Sequence, residues 1–110
     1  MIPDCTALIL AGGESKRMGR DKAALAAAFA EYKPDAVVHC AALIEVGESV
    51  KDPARFWDVN VNGALNLLNV MRDSGCRAFV FSSTCATYGA PIRLPLDETH
   101  PQNPLSPYGW

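Results

Sequence analysis

Three short apolar runs alternating with two stretches of helical pattern set the limits on what this chain can fold into. The runs are TALILA at 6–11, DAVVHCAA at 35–42 and RAFVFSST at 77–84. Each is continuous rather than alternating in polarity, the pattern of strands buried on both faces of a parallel sheet. Between the first two, DKAALAAAFAEYK places Leu25, Ala28, Phe29 and Tyr32 at i, i+3, i+4 and i+7, a single helical face that Pro34 ends. GESVKD at 47–52 reads as a polar loop or irregular helical turn. Asp52 and Pro53 then supply an N-cap and a first helical residue. That helix runs from about Pro53 to Ser74, with Phe56, Asn60, Ala64, Leu67, Leu68 and Met71 on one side and Gly75 as its stop. The order βαβαβ, with right-handed crossovers, predicts an α/β fold with a small parallel sheet flanked by helices.

A chain of 110 residues is one domain at most. The last 20 residues hold five of the eight prolines and show no period, so they read as a proline-rich surface loop. A net charge of −2 gives no electrostatic reason for a nucleic-acid or anionic-membrane partner. No apolar run approaches the roughly 18 residues of a membrane span. Asp4 stands where an export signal wants lysine or arginine, so no such signal is expected. Cys5, Cys40, Cys76 and Cys85 are scattered and form no C-x-x-C pair. They read as reduced, structural thiols of a cytoplasmic protein. His39 and His100 sit at no ligand spacing to them, and no metal site is expected. His39 itself reads as a core or strand-end histidine. A three-stranded sheet leaves two unpaired edges, which makes self-association a possible partner mode.

Open parallel sheets bind ligands at the carboxyl ends of their strands. Those ends carry AGGESKRMG, CAALIEVGES and SSTCATYG, all rich in small or hydroxylated residues. Small residues admit a ligand to the backbone and hydroxyls fix polar atoms, so a nucleotide site is the natural reading of that edge. In the first of them, Gly12, Gly13 and Gly19 are interleaved with Ser15, Lys16, Arg17, Arg20 and Lys22, an anion site by composition. The spacing is neither that of a P-loop nor G-x-G-x-x-G. LAGGESKRMGRDK resembles the nucleotidyltransferases that guanylylate the molybdenum cofactor. The resemblance covers residues 6 to about 25 and implies Gly12 and Gly13 as backbone donors to phosphate, with Arg17 and Lys22 as phosphate cations. The base-reading and magnesium-binding parts of such an enzyme are not found.

From about Ala27 onward the chain resembles a different family, the UDP-glucose 4-epimerases of the extended short-chain dehydrogenase/reductases. Three motifs carry the resemblance: HCAAL at 39–43, NVNGALNLL at 60–68 and FSSTCATYG at 81–89. It implies a partial Rossmann-like, three-layer fold. Residues 1–25 would be a nucleotidyltransferase-like strand and loop, joined to an epimerase-like segment, 26–110, within one truncated domain. It implies NAD as cofactor, lined by Cys40, Ala41, Ala42, Leu43 and Ile44, with Asn60, Ser82 and Ser83 beside it. Many members have lysine where Ile44 stands. Asparagines inside a helix want partners, which suggests that Asn60 and Asn62 tie strand-end loops together.

The same resemblance implies a nucleotide-sugar substrate. Thr84 would hydrogen-bond a sugar hydroxyl, and Tyr108 of SPYGW would be the base that takes the 4-hydroxyl proton. A free phenol keeps its proton to about pH 10, and the family supplies a lysine four residues on, which here would fall beyond Trp110. The family's G-x-x-G-x-x-G turn and substrate domain are not found either. The resemblance therefore implies a nucleotide-sugar epimerase that is catalytically incomplete. The alternatives are a non-catalytic nucleotide-binding mini-domain and a chimeric or fragmentary chain without activity.

Overall fold

A computed structural model describes residues 4–11 and 22–110. Three parallel strands form one sheet in the order β1 (Ala7–Ala11), β2 (Ala36–Cys40), β3 (Ala78–Phe81). Leu8 pairs with Val37, Leu10 with His39, and Val37 in turn with Phe79. Helix α1 (Lys22–Tyr32) precedes β2, and α2 (Val46–Lys51), α3 (Pro53–Phe56) and α4 (Gly63–Ser74) lead from β2 to β3. The order βαβαβ expected from the sequence is therefore the order observed.

The sheet's two faces differ. Side chains alternate along a strand, and Leu8, Leu10, Val37, His39 and Phe79 share the face on which α1 and α4 pack. Leu25 and Phe29 of α1 and Leu67, Val70 and Met71 of α4 close that core around Leu10 and Val37. The opposite face is bare among the described residues: Ile9 is 66% exposed and Val80 59%. The continuous apolar runs thus predict strands covered on both faces, whereas here one face is covered. Of the three layers of a Rossmann-like fold, the described residues supply two. Tyr32 and Leu68, expected on buried helical faces, are exposed: Tyr32 is the last residue of α1, and Leu68 lies outside the stripe of Gly63, Leu67, Val70 and Met71 that α4 buries.

GESVKD is not a loop. Residues 46–51 form α2, whose Lys51 and Glu48 make an exposed ion pair of 2.7 Å. The expected helix from Pro53 to Ser74 begins and ends where predicted. The Asp52 carboxylate accepts from the Arg55 N–H at 3.2 Å, Pro53 occupies the first turn, and Gly75 closes α4 with φ of 79°. Its interior differs, because Trp57–Asn62 is wound as a π-helix. Such insertions shift the register of every later side chain and recur at functional sites.

Candidate functional site

The loop after β2 runs from Ala41 to Glu45, and Asn60, in the π-helical turn, fixes it. The Asn60 side-chain oxygen accepts from the Leu43 N–H at 2.8 Å, and its side-chain nitrogen donates to the Leu43 carbonyl at 2.9 Å. The expectation that a helix asparagine ties down a strand-end loop is met at Asn60. Asn62 instead donates to the Asp58 carboxylate at 3.2 Å, within its own helix. Held this way, the loop leaves Cys40, Ala42 and Ile44 exposed, with Ala41 and Leu43 half-buried.

Beside it, β3 ends in Ser82, Ser83 and Thr84. The Ser82 N–H donates to the His39 carbonyl at 3.0 Å, which extends the β2–β3 ladder to the strand end. Ser82 and Ser83 are exposed, and neither hydroxyl has a partner among the described residues. Thr84 begins a 3-10 turn at Cys85–Tyr88, and its hydroxyl oxygen accepts from the Ala86 N–H at 3.1 Å. A hydroxyl has one proton and two lone pairs. The cap takes a lone pair and leaves the Thr84 proton to donate elsewhere.

Two glycines bring the C-terminal loop onto this turn. A Cβ on Gly89, at φ of 67°, would lie 1.9 Å from the Asn103 carbonyl oxygen. One on Gly109 would lie 2.6 Å from the Ala86 carbonyl oxygen. Backbone meets backbone at both points, which only glycine permits. Tyr108 is thereby carried to the turn that Thr84 opens. The Ser106 carbonyl accepts from the Gly109 N–H at 2.9 Å, closing the turn that presents Tyr108. The Tyr108 ring stands edge-on to Phe56, centroids 6.5 Å apart, and its backbone N–H donates to the Ser49 hydroxyl at 3.2 Å.

The loop between these turns has its own anchor in buried His100. Its Nε2 accepts from the Ile92 N–H at 3.0 Å, and Nδ1 lies 2.8 Å from the Pro101 carbonyl. That pairing requires the proton on Nδ1. The Tyr88 ring packs edge-on against the imidazole. Arg93 bridges to Asp97 at 2.8 Å, and hydrogen bonds from Thr99 hold the Asp97 carboxyl below the usual carboxylate range.

His39 is a strand-end core residue, as its sequence context suggests. It lies against the rings of Phe79 and Phe81, and its Nδ1 is buried without a hydrogen-bond partner. Burial pushes its pKa below the ordinary imidazole value, so it is held neutral.

Of the proposed phosphate contacts, Gly12, Gly13 and Arg17 lie outside the described residues. Lys22 is exposed at the start of α1, on the rim of an open groove of about 660 Å³ that runs along α1 to Asp35 and the end of α4. That groove leads to the N-terminal ends of β2 and β3, away from the carboxyl edge that carries Ser82, Ser83 and Thr84. All four cysteines are free, and only Cys76 is buried. No group of metal-ligating side chains occurs among the described residues, nor is any described helix long and apolar enough to cross a membrane. The sequence reading missed Ser49 and the two contact glycines, and placed Phe56 on one side of the long helix without its ring contact to Tyr108. The partners lie tens of residues apart, and only the glycines' place after Tyr88 and Tyr108 offered a local signal.

A parallel sheet flanked by helices on one face, with a clamped loop and a serine-rich strand end at its carboxyl edge, defines an α/β domain of Rossmann-like architecture. The chain belongs to the NAD dependent epimerase/dehydratase family, whose family model matches residues 18–110. A UDP-glucose 4-epimerase of Rhizobium leguminosarum bv. trifolii is 60% identical over 90 residues, covering 82% of this chain and 28% of that protein. The crystal structure of UDP-glucose 4-epimerase from Brucella ovis in complex with NAD superposes with a TM-score of 0.78 at 48% identity, covering 81% of this chain and 27% of that one. The Thermus thermophilus UDP-glucose 4-epimerase, also solved with NAD, gives 0.80 at 38% identity, covering 94% of this chain and 38% of that one. The chain thus spans less than a third of the length of the Rhizobium relative. The family match opens at Met18, inside the loop likened to nucleotidyltransferases, so the end of that loop is matched as epimerase sequence.

Proposed function

We propose that this chain carries the NAD-binding and proton-transfer segment of a nucleotide-sugar 4-epimerase acting on UDP-glucose and UDP-galactose. The observation that carries the reading is the packing of Gly109, next to Tyr108 in the chain, on the Ala86 carbonyl, two residues beyond Thr84 at the carboxyl edge of the sheet. The strand ends fit NAD. Cys40 and Ala42 are small and exposed, Ser82 and Ser83 offer unengaged hydroxyls, and Asn60 holds the loop between them in one conformation. Ala41, Leu43 and Ile44 complete that lining. Gly12, Gly13, Arg17 and Lys22 are phosphate contacts only on the nucleotidyltransferase resemblance of their loop, and the 4-epimerase reading does not rest on them.

NAD, when bound, supplies the acceptor and donor of the C4 hydride. The residues of the chain do the rest. Tyr108 takes the proton of the 4-hydroxyl, and a phenol does so near neutrality only beside a cation. Thr84 donates its free proton to the same sugar oxygen and orients it. A base and a donor placed on one hydroxyl contribute typically about 10²–10⁴-fold to rate.

The test is titration of the 110-residue chain with NAD, followed by Trp57 and Trp110 fluorescence, together with conversion of UDP-galactose to UDP-glucose. Saturable NAD binding with slow conversion, that of a catalytically incomplete epimerase segment, is the expected result. NAD binding with no conversion selects the non-catalytic nucleotide-binding module instead, and no NAD binding sinks both.

A further inference from the structure

We propose that Ser49 is a positioning residue for Tyr108, a role that rests on reading Tyr108 as the tyrosine that moves the sugar proton. Ser49 has no exposed surface, although it carries a hydroxyl. A fully buried hydroxyl must find its partners inside the protein. It donates to the Val46 carbonyl at 2.6 Å, a contact local to α2. Its lone pair accepts from the Tyr108 backbone N–H at 3.2 Å, across 59 residues of chain. Helix α2 needs only the first of these.

The second bond sets where the tyrosine stands. Phe56, 2% exposed, meets the Tyr108 ring from the same α2–α3 unit. That unit follows directly on the loop that Asn60 clamps, so the loop lining the cofactor edge and the support of the tyrosine are one piece of structure. From the other side, Gly109 rests on the Ala86 carbonyl, two residues beyond Thr84 in the turn that Thr84 caps. Tyr108 is held between the two, and Ser49 is the polar half of the grip. Proton transfer needs the phenol oxygen within about 2.6–3.2 Å of the hydroxyl it serves. Ser49 touches the backbone and not the phenol, so it governs position without altering the phenol's chemistry.

The experiment compares the wild-type chain with Ser49→Ala, which removes the acceptor, and Ser49→Cys, which keeps the volume but accepts weakly. Two readouts are taken: hydrogen exchange at the Tyr108 amide by NMR, and kcat and KM for UDP-galactose. Both variants are expected to exchange the Tyr108 amide at least about fivefold faster while the Leu67 amide stays unchanged. They are expected to lower kcat about tenfold, with KM and NAD affinity within about twofold. Unchanged Tyr108 exchange, or kcat and KM moving together with global stability, overturns the proposal. Should Ser49→Ala fail to fold, Ser49→Cys decides on the same criteria. A wild-type chain without turnover overturns the catalytic reading of Tyr108, while amide exchange still decides the tether.

Discussion

Asn60 occupies both backbone polar groups of Leu43, accepting from its N–H at 2.8 Å and donating to its carbonyl at 2.9 Å. A single amide side chain thus does for an irregular loop what a neighbouring strand does for a regular one. Replacing it by alanine strips two part-buried partners and is expected to cost about 2–3 kcal/mol. Aspartate is expected to cost more, because a carboxylate would then face the Leu43 carbonyl. Urea unfolding checks both. NAD titration of Asn60→Ala should show at least a tenfold weaker complex, as the loop of Ala41 to Ile44 loses its fixed conformation.

Gly89 is a position where only glycine fits. It combines φ of 67° with a backbone oxygen 1.9 Å from where Cβ would stand. Gly89→Ala is therefore expected to lift the 101–110 segment off the 3-10 turn. Limited proteolysis should cut the variant between residues 90 and 107 at least tenfold faster than the wild-type chain, with the helical far-UV signal retained. Equal cleavage rates would mean that the contact holds nothing down.

His39 gives the fold a pH dependence of defined sign. Its folded-state pKa lies below the unfolded value of about 6.5 because it is buried. Above the unfolded value both states are neutral there and the group is indifferent. As pH falls below it, the unfolded chain takes up a proton that the folded chain refuses, so stability falls until the lower folded pKa is passed. Urea midpoints are expected to drop between pH 7 and 5, and less steeply in His39→Phe. Parallel slopes in the two proteins would assign the loss to other groups.

The two faces of the sheet predict opposite responses. Val37, fully buried under α1 and α4, should lose about 2–3 kcal/mol on replacement by alanine. Val80, more than half exposed on the bare face, should lose less than about 0.5 kcal/mol on replacement by threonine. Denaturation of the pair checks which face carries the core. A costly Val80→Thr would mean that the bare face is covered in solution.

What could be read in the sequence is what short-range chemistry dictates. Asp52, Pro53 and Gly75 fix the ends of the long helix by capping and φ preference, and the apolar runs place three strands in order. The face that each strand buries was not legible, because Ile9 and Val80 are as apolar as Leu10 and Val37. The π-turn at Trp57–Asn62 has no local marker, since its reward is a bond from Asn60 to a backbone 17 residues away. Tyr108 was found as a motif, but its supports at Ser49 and Phe56 were not, because a serine in a six-residue helix looks like any solvent-facing serine until the chain returns to it.

The proposed function gives Thr84 two duties that substitutions separate: its hydroxyl oxygen caps the turn at Ala86, and its proton donates to a substrate oxygen. Serine keeps both, so Thr84→Ser should retain turnover within about threefold and nearly full stability. Valine keeps the shape and loses both, which is expected to cost about 1 kcal/mol from the cap and about 10–100-fold in kcat from the lost donor. NAD affinity should be unchanged in either, because Ser82 and Ser83 remain. Steady-state turnover of UDP-galactose and an NAD titration settle it. A Thr84→Val chain with full kcat would leave the threonine a turn-former only, and Tyr108 would then have to hold the sugar oxygen without it.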